Sequence, residues 1–181
     1  MKKSLLPLAS LLTLAVVVTP ATAYSQASPT RIELGIDGGV ATKSGSGLKT
    51  MTDVELPVQT FRIGFFVSDN VSIEPMASLS HTSGDGSFTT WETTVGVLFL
   101  TGDHKSTQYY LRPFVGVTGM SGTNLTSSTP FHAGAAVGVK IPMYERLSTL
   151  FDVGYERQMD SGDIKAGNVF FGTIGLSFHT W

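Results

Sequence analysis

From Arg31 to Trp181 the chain repeats one pattern: about ten residues in which every second side chain is apolar, then a break rich in Gly, Ser, Asp or Asn. The pattern occurs eight times. In the third segment Val71, Ile73, Pro75, Ala77 and Leu79 fall on one face, and Ser72, Glu74, Met76, Ser78 and Ser80 on the other. Successive side chains of a strand point to opposite faces, so a period of two predicts strands with one greasy and one polar side. Upward strands are expected at about 31–41, 71–81, 108–119 and 147–157, and downward strands near 55–66, 88–100, 131–142 and 169–181. The pattern alone leaves the direction of the greasy face open; an export leader, an aromatic last residue and charges on the minority face of nearly every strand make the implied fold all-β, an eight-stranded antiparallel up-and-down transmembrane β-barrel. At Leu56-Pro57-Val58 the alternation slips, which predicts a bulge or an extension of the strand.

Connections at 67–70, 101–107 and 143–146 are short, whereas those near 42–54, 82–87, 120–130 and 158–168 are mostly longer and polar. Short turns alternating with longer loops are the periplasmic and extracellular ends of bacterial outer-membrane barrels. The first residues point to export. Lys2 and Lys3 precede an apolar stretch, Leu5 to Val18, and Ala21-Thr22-Ala23 is a small-residue cleavage site, so residues 1–23 read as a signal peptide and 24–181 as the barrel domain. Removing the leader leaves 158 residues and takes away two lysines and no acids, so ten bases face fourteen acids. That balance excludes a nucleic-acid binder. The absence of cysteine excludes a lipid-anchored lipoprotein and a disulfide scaffold.

The whole mature chain resembles the small outer-membrane β-barrels of the OmpA transmembrane-domain and OmpX type. The resemblance is carried by Phe61-Arg-Ile-Gly-Phe-Phe-Val-Ser-Asp-Asn-Val-Ser-Ile-Glu-Pro75 and by Leu111-Arg-Pro-Phe-Val-Gly-Val117. It implies an aromatic-ending last strand read by the barrel-assembly machinery, with Phe178 and Trp181 as the signal, and it implies outer-membrane lipid and lipopolysaccharide as surroundings. Phe178 and Trp181 are three apart, so only one of them can follow the outward face.

The polar face carries the candidate site. Glu33, Asp37, Arg62, Glu74, Glu92, Arg112, Lys140, Asp152 and Glu156 share the inward parity and are expected to interlock as one buried network, because an eight-stranded barrel is just wide enough for its side chains to fill. Glycines at 96, 116, 134, 138, 154 and 175 share that parity and leave room for Arg112, Phe114 and other large neighbours. One feature points to an enzyme. His81-Thr82-Ser83 resembles the His-x-Ser pair of outer-membrane lipid A deacylases, but Gly84 stands where that family has Asn, so no catalytic role is assigned. The loop acids Asp85, Asp160 and Asp163 are too few for a calcium loop. No phosphate loop, dinucleotide fingerprint or zinc spacing occurs, so no cofactor or metal is expected. The expected role is non-enzymatic, in envelope structure or surface interaction through four loops. The rivals are a lipid A-modifying enzyme using His81 and Ser83, and a soluble lipocalin-like carrier with its apolar rows turned inward.

Overall fold

The structure is a computed structural model that describes residues 31–45, 48–82, 88–103, 105–122, 129–161 and 166–180. The leader, Ser83, Asp85, Asp163 and Trp181 lie outside the described residues, and of His81 only the backbone is described. Eight strands run in chain order: β1 Ile32–Gly45, β2 Leu48–Ser68, β3 Val71–Thr82, β4 Phe88–Leu100, β5 Gln108–Gly122, β6 Phe131–Tyr144, β7 Leu147–Gln158 and β8 Gly167–His179. Each pairs with its neighbours, and β1 closes against β8 in an antiparallel ladder from Glu33↔His179 to Gly45↔Gly167. Closure gives every strand two neighbours.

The first connection departs from the expected loop over 42–54. There β1 and β2 stay paired out to Gly45↔Leu48, because Val40, Thr42, Thr52 and Val54 continue a strand-compatible run. Between Asp37↔Thr60 and Gly39↔Glu55 residues 56–59 stand opposite Gly38 alone, so the ladder is irregular where the alternation slips. The β4–β5 turn has a different basis. Gly102 takes φ of 83°, a left-handed conformation open to glycine. Asp103 Oδ1 then accepts the Lys105 N–H at 3.1 Å, and the Thr101 hydroxyl donates to the Tyr109 carbonyl at 3.1 Å.

The apolar rows face out. Leu111 is 46% exposed while its chain neighbour Arg112 is 5% exposed. The same inversion holds for Ile36 beside Asp37, Phe61 beside Arg62 and Ile73 beside Glu74. A soluble carrier requires the opposite arrangement. Inside, Leu98, Leu100, Tyr110 and Leu150 form a small apolar cluster with Phe66 against it, near the end that holds the short turns. This is a plug rather than a conventional core.

Candidate functional site

The inward polar residues converge above that plug. Arg62 is the hub: its Nε donates to Asp37 Oδ2 at 3.1 Å, Nη1 donates to Glu33 Oε1 at 3.1 Å and to Glu74 Oε1 at 3.0 Å, and Nη2 donates to Ser177 Oγ at 2.9 Å. Its guanidinium therefore ties β2 to β1, β3 and β8. Arg112 extends the chain of contacts, donating to Glu74 Oε2 at 3.4 Å and to Asp152. Asp152 also accepts from the Tyr110 hydroxyl at 2.7 Å and from Thr173 Oγ1 at 2.5 Å. The Lys140 ammonium binds Glu33 and sits 5.5 Å from the centre of the Phe66 ring, which joins the network to the plug.

Seven of the nine expected residues thus form one assembly: Glu33, Asp37, Arg62, Glu74, Arg112, Lys140 and Asp152. With Ser177 and Thr173 of β8 it draws a side chain from every strand except β4, whose contribution is Gly96, where an added Cβ would press on the Arg112 stem. The charges nearly balance, with three bases among four acids. Ions removed from water are tolerable when each is paired and further hydrogen bonds satisfy the remaining lone pairs, and that is the condition here.

Glu92 stands apart from the assembly, bonded to Thr94 and beside His132, contrary to the sequence expectation of a single network, and Glu156 sits at a similar height. They lie farther toward the loop end, where β4 pairs Glu92 with Thr118 and β7 pairs Glu156 with Gly134. Their neighbour is His132, which parity on β6 would have revealed: 132, 134, 136, 138 and 140 all face inward. The same rule identifies His179, Ser177 and Ser148 on the neighbouring strands. Counting formal charges alone overlooks them.

Ser148, His179 and Glu33 have the order of a nucleophile, a base and an acid, with Ser148 Oγ 2.9 Å from His179 Nε2 and His179 Nδ1 3.4 Å from Glu33 Oε2. Glu33 is already held by Arg62 and Lys140, and Ser148 is only 4% exposed. The contact closes the barrel floor. Phe178 points outward at the end of β8 and is exposed. Asp160 accepts the Ala166 N–H, an internal closure of its connection.

Above the network lies a cavity of about 300 Å³, with Asp37 and Arg112 at its base, Phe114 and Phe171 on its walls, and Glu92 and Glu156 among its lining residues. The two rings pack with centroids 5.9 Å apart. The interior is therefore layered: apolar plug, ionic network, then a chamber of mixed lining.

No protein-family model and no curated protein matches this sequence. Solved structures do match. Neisserial surface protein A is 12% identical, with 81% of this chain and 96% of that one covered, at a TM-score of 0.66. The outer membrane protein AlkL in lipid bilayers is 14% identical, covering 88% and 94%, at 0.54. Ail, the attachment invasion locus protein of Yersinia pestis, is 13% identical, covering 83% and 98%, at 0.51. This chain has the fold of the small eight-stranded outer-membrane β-barrels.

Proposed function

We propose that this protein is a non-enzymatic outer-membrane barrel, exported with a cleaved leader, that holds its loops at the cell surface for envelope structure or surface interaction. The observation that carries the reading is the inversion of polarity: Leu34, Ile36, Leu111, Val115, Val137 and Ile174 are exposed while Glu33, Arg62, Glu74 and Arg112 are buried. Water would penalise that arrangement and a hydrocarbon bilayer rewards it. The barrel wall contacts lipid and lipopolysaccharide, and the outward Phe178, with Trp181, serves the assembly machinery. The names of two structurally similar proteins, a Neisserial surface protein and an attachment invasion locus protein, support a surface role. The ionic network bars the lumen, so bulk solute does not pass.

Fractionation tests the reading. The protein should stay with outer membranes through an alkaline wash, and its folded form should run faster than the boiled form in SDS gels. Recovery in the soluble periplasmic fraction would falsify the proposal. Lipid A incubated with the purified protein should keep all its acyl chains by mass spectrometry, and loss of one with wild type but not with Ser83→Ala would replace this reading with the enzymatic one.

A further inference from the structure

Glu92 on β4, His132 on β6 and Glu156 on β7 each offer a ligand atom, and these atoms lie within 4.8 Å of one another. They meet because the strands between them carry glycine at the crossing points. On β5 a Cβ at Gly116 would stand 2.4 Å from His132 Nε2 and 2.6 Å from Thr94 Oγ1, so bare backbone alone lets the imidazole reach over β5 toward Glu92. On β6 a Cβ at Gly134 would meet Phe114 and the backbone of Glu156.

The imidazole is fully buried and its orientation is fixed at both nitrogens. Nδ1 lies 3.1 Å from Thr118 Oγ1, and Nε2 lies 3.0 Å from Thr94 Oγ1 and 3.6 Å from Glu92 Oε1. The Thr94 hydroxyl donates to Glu92 at 2.9 Å, so it orients the carboxylate beside the ring. Both carboxylates line the 300 Å³ chamber, which gives them room for water. Arg112, the cation at the chamber base, is engaged with Glu74 and Asp152.

We propose that Glu92, His132 and Glu156 bind a divalent cation of the zinc type. Bonds of about 2.0–2.1 Å to a tetrahedral zinc put its ligands roughly 3.3 Å apart. The His132–Glu92 pair at 3.6 Å is close to that spacing, and rotation of the Glu156 side chain completes the set. Three protein ligands leave the fourth position to a chamber water. Thr118 is placed to accept the Nδ1–H of a metal-bound His132, the outer contact that fixes a ligating ring. The imidazole selects the cation, because calcium and magnesium prefer cages made of oxygen alone.

The test is calorimetric titration of the folded, chelator-treated full chain in detergent micelles with zinc chloride, and in parallel with calcium and magnesium chloride. One equivalent of zinc should bind, with no comparable heat from calcium or magnesium. Glu92→Gln, Glu156→Gln and His132→Gln should each weaken zinc by about tenfold or more, while Glu145→Gln, in an exposed turn, should leave it unchanged. Cobalt bound in place of zinc should give visible absorption bands that His132→Gln removes. Gel mobility without boiling identifies the variants that fold, and three single variants keep the outcome readable if one does not. Absence of zinc binding by wild type, or binding unchanged in the folded variants, overturns the proposal.

Discussion

The two halves of the lumen are built from the same residue types and behave oppositely. Toward the turn end, Arg62, Arg112 and Lys140 are enclosed by four carboxylates, and the apolar plug sits next to them. Toward the loop end, Glu92 and Glu156 have a histidine and hydroxyls nearby, and a chamber instead of packed atoms. Charge inside a barrel is therefore no single quantity. Where acids and bases interleave it fixes the strands to one another, and where acids gather around open space it creates a place for something else to bind.

The largest contrast comes from removing the hub. Arg62→Met takes the cation from Asp37 and leaves Glu33 to Lys140 and Glu74 to Arg112 alone, and should cost about 3–5 kcal/mol in urea unfolding from lipid vesicles. A loss no greater than that of Glu92→Gln would erase the distinction between the halves. On the outer wall, Val137→Arg puts a charge among exposed apolar side chains and should reduce stability by about 2–4 kcal/mol, read as the folded fraction in bilayers. Normal folding there would mean that this surface does not face lipid.

A smaller effect is expected from Gly175→Ala. The new methyl group would collide with Asp37 Oδ1 and push the carboxylate off Arg62, for about 1–3 kcal/mol. Pairing it with Asp37→Asn in a double-mutant cycle sharpens the point, since additive losses would show that the glycine acts elsewhere. Last, Glu92→Gln should change stability by only about 0.5–1.5 kcal/mol, the value of a hydrogen bond, because its side chain is 40% exposed and outside the network. Planar-bilayer recordings probe both halves together. Steady porin-sized currents would mean that the ionic layer does not seal.

Much of this was legible in the chain because a strand has the simplest periodicity a sequence can carry. Parity alone sorts Leu111 from Arg112 and Phe61 from Arg62, and the strand positions follow from the breaks. Parity does not report height along the barrel. That depends on register between strands far apart in sequence, and so parity groups Glu92 with a network that lies lower in the barrel. His132 was missed for a different reason. Its parity was visible, but its partners meet it only because Gly116 opens β5, a fact of three adjoining strands. The continuation of β1 and β2 through 42–54 was hidden by turn-forming residues such as Gly45 and Ser46 within an otherwise strand-compatible run.

The seam between β1 and β8 brings the opposite ends of the chain together, and it raises a problem of error detection. A slip of one residue turns every side chain to the wrong face and is punished by the whole hydrophobic pattern. A slip of two preserves the faces, so amphipathicity is blind to it. Only particular partners can expose such a mistake. At the seam they are Asp37 fitted against Gly175, and Ser177 within 2.9 Å of an arginine that belongs to β2. Shifted by two, β8 would set Thr173 or Ser177 beside Asp37 in place of the glycine and would carry Ser177 away from Arg62. The buried ions thus act as a checksum on alignment, distinguishing the one correct closure from neighbours that look equally amphipathic.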